Sequence, residues 1–290
     1  ANTFQLDYLS IITVTGADSA SFLQGQLSCN IKTLSSTQSN IAAYCTAKGR
    51  VISIMIVVAH ADGYWLILPT SLAGIVQKRL QMYVLRSAVK ISLSDINILG
   101  IKTEEPFCSA MPLPNKAFEF TIKDSCCWLK IPSAHDARYL YFAIDTLPSE
   151  LAKLASAKAD LWRLDDIDAG LPWFEADQSE VYTPHMLNLD KLGGISLDKG
   201  CYTGQEIIAR THYLGKNKRH LYAGQINSVI DIQAGQGVLD PISAQTLGHI
   251  LFAQPYDQIT RLLMVLNLET DHLGGYAIDN STQSAVELLS

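Results

Sequence analysis

Nine consecutive positions, Val51 to Ala59 (V-I-S-I-M-I-V-V-A), carry no charge and a single hydroxyl. A helix that spans a bilayer needs roughly 20 apolar residues. This run is too short for that and is expected as a buried strand. The composition supplies a core to bury it in, with 48% of residues hydrophobic and 17% charged. A chain of 290 residues accommodates one large domain or two to three smaller ones. No repeat at solenoid spacing and no low-complexity tract interrupts the pattern.

The formal net charge of −6 argues against a nucleic-acid binder, which needs clustered Lys and Arg for phosphates. The first residues, A-N-T-F-Q-L-D, lack the basic and apolar regions of a signal peptide. Six cysteines show neither a C-x-x-C pair nor zinc spacing with histidine. Free thiols in a reducing, cytoplasmic compartment are expected, with no membrane association and no metal site.

Along the chain, Ile11 to Thr15 reads as a strand, and Asp18 is placed to cap a helix through Phe22 and Leu23. Ala42 to Cys45 and Val51 to Ala59 read as strands joined by T-A-K-G-R, with Gly49 as the turn residue. Tyr64 to Leu68 gives a third strand. From the Ser71 cap, Leu72, Ile75, Val76, Leu80, Tyr83 and Val84 recur at helical spacing as core, with Arg86 solvated beyond them. Strand-like runs follow at 96–101, 118–122, 128–131 and 139–144, with loops at E-E-P and M-P-L-P-N. Pro148 to Ala159 reads as a surface helix rich in Ala, Leu and Lys. Strands alternating with turns in this way suit an antiparallel α+β arrangement. From Leu221 the repeated glycines suit a small antiparallel barrel. The division is expected at 215/216, giving 1–215 and 216–290.

Two stretches carry chemistry. Asp165, Asp166 and Asp168 lie within four positions and fit an acid–base pair, a metal site or, more commonly, a solvated helix face. Leu197 to Arg210, L-D-K-G-C-Y-T-G-Q-E-I-I-A-R, sets Cys201 between Gly200 and Gly204 and two residues after Lys199. A nearby ammonium and helix N–H groups favour thiolate over thiol; the alternative is a buried turn cysteine that acts as a small hydrophobe. Glu206 and Arg210, four apart, either belong to a site or pair on a helix face. His212, Lys216, Lys218, Arg219 and His220 form a basic cluster, a solvated loop or an anion site. His185 has no partner at metal spacing and is expected to be structural.

K-G-C-Y-x-G-Q-E-x-x-A-R resembles the signature of the YgfZ family, folate-binding relatives of the glycine-cleavage T-protein. G-A-D-S-A-S-F-L-Q-G-Q-L-S-C-N, Y-C-T-A-K-G-R-V and W-R-L-D-D-I-D-A-G-L-P resemble further blocks of that superfamily. The resemblance implies two intertwined α+β domains around a central folate pocket, followed by a C-terminal β-barrel. It implies Cys201 as a functional thiol tuned by Lys199. It also implies a pocket for tetrahydrofolate or a one-carbon derivative, formed by Asn30, Trp162, Tyr202, Gly204, Gln205, Glu206 and Arg210. YgfZ relatives are linked to iron–sulfur enzymes and tRNA thiomodification, so iron–sulfur client proteins are the implied partners. Ser53 and Ile54 stand where T-proteins carry an aspartate, so aminomethyl transfer is expected to be absent; a folate-dependent transferase and a folate-free interaction protein are the alternatives.

Overall fold

The computed structural model describes all residues except 104–112, 124, 144–148, 216, 269–273 and 290. The chain opens with β1 (Asn2–Gln5), β2 (Leu9–Thr15), α1 (Ser19–Gln26), β3 (Asn40–Cys45), β4 (Val51–His60) and β5 (Gly63–Pro69). It continues with α2 (Thr70–Gln81), β6 (Lys90–Ser94), β7 (Ile98–Thr103), β8 (Phe120–Lys123), β9 (Cys126–Ile131) and β10 (Ala137–Ala143). Then come α3 (Ser149–Ala152), β11 (Ala155–Ala157), α4 (Ala159–Asp168) and α5 (Gln205–Leu214). Six strands close the chain: β12 (Arg219–Ile226), β13 (Gly237–Leu239), β14 (Thr246–Tyr256), β15 (Ile259–Asn267), β16 (Tyr276–Ile278) and β17 (Ala285–Leu288).

These strands form two open sheets and a closed barrel. One sheet has the order β11-β1-β7-β10-β9-β8, the other β3-β4-β5-β2-β6, and the barrel β12-β15-β14-β13-β16-β17. The chain therefore starts in the first sheet with β1, builds the second with β2 to β6, and returns to the first. That return makes the two α+β units intertwined.

The apolar run becomes β4, between β3 and β5, with its first eight residues buried. Alternate residues of β4 feed two cores. Ile54, Ile56 and Val58 join a cluster that runs through both sheets to the barrel wall at Leu221, Leu251, Leu263 and Val265. Met55 and Val57 face Leu72's helix neighbours Val76 and Leu80, with Phe22 and Leu23 of α1. Burial on both faces explains why this strand shows no polar alternation.

Four expectations are corrected. Ala155–Ala157, expected as helix, is a strand parallel to β1; its cross-strand bonds override the helical preference of Ala. Asp18 stands at the start of α1 without capping it, and its Oδ2 accepts instead from Ala88 N at 2.7 Å. α2 ends at Gln81, which leaves Tyr83 52% exposed rather than in the core, and Ile75 is also largely exposed. The aspartate run is not a solvated face: Asp165 and Asp166 are buried, and all three residues are ion-paired. The E-E-P loop and Lys216 lie outside the described residues.

Candidate functional site

Residues 194–204 run without regular structure and are laced onto the end of α1. Ser28 Oγ donates to Gly194 O, Ser196 N to Ser28 O, and Thr203 N to Gly25 O. Lys199 completes the lacing: its Nζ donates to Leu27 O at 2.6 Å and to Cys29 O at 2.7 Å, and lies 4.7 Å from the Tyr202 ring centre. The side chain is only 7% exposed. Burial brings its pKa down to about 8, with Cys29 acting in the opposite direction. Its hydrogen bonds go to two backbone carbonyls, while Cys201, two residues on, is exposed.

Gln205 braces the loop from its other end. Its Oε1 accepts from Tyr202 N at 3.2 Å and its Nε2 donates to Lys199 O at 3.4 Å, so one amide closes the backbone on both sides of Gly200 and Cys201. Gly204 then turns into α5 at φ 84°, a left-handed conformation that glycine adopts without strain. It rests on the Thr46–Arg50 turn, whose Gly49 is also left-handed at φ 69°. The T-A-K-G-R turn is thus the seat of the thiol loop, with Gly49 as the glycine that lets Gly204 approach.

Cys201, Tyr202, Thr203, Gly204, Gln205 and Glu206 line a cleft of about 480 Å³ with Ala47 and Ala209. Tyr202 is 6% exposed, and among the described residues its hydroxyl meets no partner. Burial, then Cys45 and Cys29, pushes the phenol pKa well up. Glu206 and Arg210 are both exposed, and no ion pair joins them among the described residues. An exposed thiol beside a helix N-terminus and a free carboxylate can take a soft metal or enter thiol exchange.

The other expected site residues lie elsewhere. Asn30 caps a short turn: its Oδ1 accepts from Lys32 N at 3.2 Å and from Gln24 Nε2 at 3.0 Å. Trp162 is fully buried, pressed on Gly100, 5.3 Å from the Phe4 ring and 4.8 Å from the Arg138 guanidinium. It is a core residue rather than a ligand-facing one. Ser53 is buried and its Oγ donates to Ile54 O, so no carboxylate stands on that stretch of β4.

A second, larger cavity of about 770 Å³ opens between α4, the first sheet and the barrel. Phe4, Leu161, Leu164 and Ile259 give it apolar wall, and Phe4 separates it from Trp162. Its charges come in pairs: Lys102 with Asp165 at 2.9 Å and with Asp136 at 3.5 Å, Arg261 with Asp168 at 2.9 Å. Sequence reasoning found Asp165 and Asp168 but neither Asp136 nor the cations, which come from distant strands.

No family model matches the chain. Among characterised proteins, the tRNA-modifying protein YgfZ of Vibrio vulnificus is 34% identical over 220 residues, covering 75% of this chain and 68% of that protein. This chain belongs to the YgfZ family. The YgfZ of Aliivibrio fischeri strain MJ11 is 29% identical over 291 residues, covering 98% and 91%. That of Buchnera aphidicola is 33% identical over 231 residues, covering 76% and 71%. In structure, the glycine cleavage system aminomethyltransferase T of Bartonella henselae superposes with a TM-score of 0.78 at 12% identity, covering all of this chain and 85% of that one. The YgfZ chain thus has the T-protein fold, with its mixed α+β body and six-stranded C-terminal barrel. Among the described residues, no helix is long and apolar enough to cross a membrane.

Proposed function

We propose that this chain is a tRNA-modifying accessory protein of the cytoplasm that sustains iron–sulfur client enzymes through Cys201, with tetrahydrofolate or a one-carbon derivative as its ligand. The observation that carries the thiol half is a contrast in access. Cys201 is exposed on a braced loop, whereas Cys29, Cys45, Cys126 and Cys127 are buried. A single thiolate can hold iron transiently or exchange with a disulfide, but cannot hold a four-iron cluster alone. Iron–sulfur species are therefore cargo and client here, with Gln205 and Lys199 holding the loop that presents the thiol.

The residues of the larger cavity fit a folate. Cavities of roughly 300–1,000 Å³ suit ligands of that size. Lys102 and Arg261 bind glutamate carboxylates by exchanging their aspartate partners, the aspartates so released accept from pterin N–H groups, and the apolar wall takes the aromatic rings. Trp162, whose indole N–H has no partner among the described residues, backs this cavity behind Phe4. Of the pocket residues implied by resemblance, Tyr202, Gly204, Gln205 and Glu206 line the thiol cleft instead. When bound, a folate supplies one-carbon chemistry. One-carbon transfer is the second reading, favoured by Asp165 and Asp168 on the cavity wall; their ion pairs with Lys102 and Arg261 engage both carboxylates.

The test is a titration with tetrahydrofolate and its 5-formyl form, followed by tryptophan fluorescence and calorimetry. Saturable binding, weakened in Arg261→Ala and kept in Cys201→Ser, is expected. Absence of binding removes the folate half. Full complementation of iron–sulfur enzyme activity by Cys201→Ser in cells removes the thiol half.

A further inference from the structure

His185 is 4% exposed, and among the described residues neither ring nitrogen meets a hydrogen-bonding group. A neutral imidazole has one donor and one acceptor, and a buried polar group without a partner costs about 1–3 kcal/mol. The ring sits where the loop after Pro184, the last turn of α5 and the first barrel strand converge. Exposed His212 of α5 lies against it, ring centres 5.7 Å apart and planes tilted by 38°. His220 of β12 flanks the pair. Its Nδ1 is 3.3 Å from Asn188 Oδ1, closer than the 3.5 Å to Asn217 Nδ2. Asn188 is itself oriented by donating Nδ2 to Leu221 O at 2.9 Å. The shorter contact puts the His220 proton on Nδ1 and so the ring's lone pair on Nε2. Asp190 and His220, like His212, stand close enough to His185 to interact with it electrostatically.

We propose that His185 and His212 form the nucleus of a binding site for a divalent transition-metal ion of the zinc, cobalt or nickel class, with His220 and Asp190 at its edge. Such ions bind neutral imidazole lone pairs, and two imidazoles on one ion hold their ring centres about 5 Å apart given metal–nitrogen bonds of about 2.1 Å. The observed 5.7 Å between ring centres is close to that separation, and the exposed His212 side chain has room to turn toward a shared ion. Among the described residues no three such groups already stand in ligand geometry. The two imidazoles therefore leave coordination positions to solvent or to a substrate group. The site is separate from the thiol cleft and the larger cavity, and its residues line neither.

The experiment titrates the full chain, carrying Cys201→Ser so that the thiol cannot compete, with Zn²⁺ by calorimetry and with Co²⁺ by visible absorption. One saturating equivalent is expected, with a cobalt spectrum of nitrogen and oxygen ligation. His212→Ala, a change at an exposed position, weakens it more than about tenfold. His185→Gln does the same where the variant folds. Absence of saturable binding, or an affinity unchanged by His212→Ala, overturns the proposal.

Discussion

Gly204 has no room for a side chain because Gly49 and the Thr46 carbonyl occupy that space. A Cβ on Gly204 would stand 2.6 Å from Thr46 O and 3.1 Å from Gly49 Cα, and one on Gly49 would stand 3.1 Å from Ile207 Cβ. Gly204→Ala combines this clash with a left-handed backbone, and strain of that kind costs about 1–3 kcal/mol. Urea unfolding should show that loss. Gly200→Ala meets nothing within 4 Å and should stay within about 0.5 kcal/mol of the parent. Equal stability of the two variants would show that the turn does not seat the loop.

Cys201 is the one exposed cysteine among the described residues. Brief alkylation followed by peptide mapping should modify it ahead of Cys29, Cys45, Cys126 and Cys127. Gln205→Leu removes the amide that spans the loop and should change the alkylation rate several-fold, at a stability cost near the 0.5–1.5 kcal/mol of an ordinary hydrogen bond. An unchanged rate would assign Gln205 to helix packing alone.

Lys199 gives stability a distinct pH signature. Its folded pKa of about 8 lies below the ordinary 10.5, mainly through burial. Between those values the unfolded chain holds a proton that the folded chain has released. Stability contributed by this residue therefore rises with pH through that window and is flat below it. The neutral amine keeps N–H donors for Leu27 O and Cys29 O. The difference in unfolding free energy between the parent and Lys199→Met should climb from pH 8 to about 10. A difference that falls or stays level across this range would contradict the burial of this amine.

Arg138 and Asp166 form a buried pair at 2.8 Å, with Tyr8 Oη donating to the other carboxylate oxygen at 2.6 Å. Removing one partner of a buried pair leaves an uncompensated charge and costs about 3–5 kcal/mol. Asp166→Ala should lower the denaturation midpoint accordingly. Arg138→Met with Asp166→Leu should recover part of the loss, and a double mutant worse than the sum of the singles would refute the pairing account.

The sequence made the strands and the barrel legible because period and turn residues are local signals. β4 was identified by its lack of polar residues, and the barrel by its glycines. Ala155–Ala157 was not, since its strand state depends on β1, more than 150 positions away. The same limit governed the aspartates: a run of three carboxylates looks solvated until Lys102, Arg138 and Arg261 are brought to it by the fold. At the thiol loop, the motif exposed the cysteine and its bracing glutamine. It did not tell which way Lys199 points, because both directions leave the same spacing in the chain.

α4 draws partners from both ends of the molecule. Arg163 lies between the rings of Tyr8 and Phe252, 4.0 and 3.9 Å away, and Asp168 meets Arg261, which comes 93 residues later in the chain. On the ribosome, the N-terminal face of this helix is available early, while its barrel-side partners are still unsynthesised. Until they emerge, a cation lacks its second ring and a carboxylate lacks its counter-ion. The nascent chain thus holds an unfinished surface from the synthesis of α4 until β14 and β15 are made, and those two strands seal it.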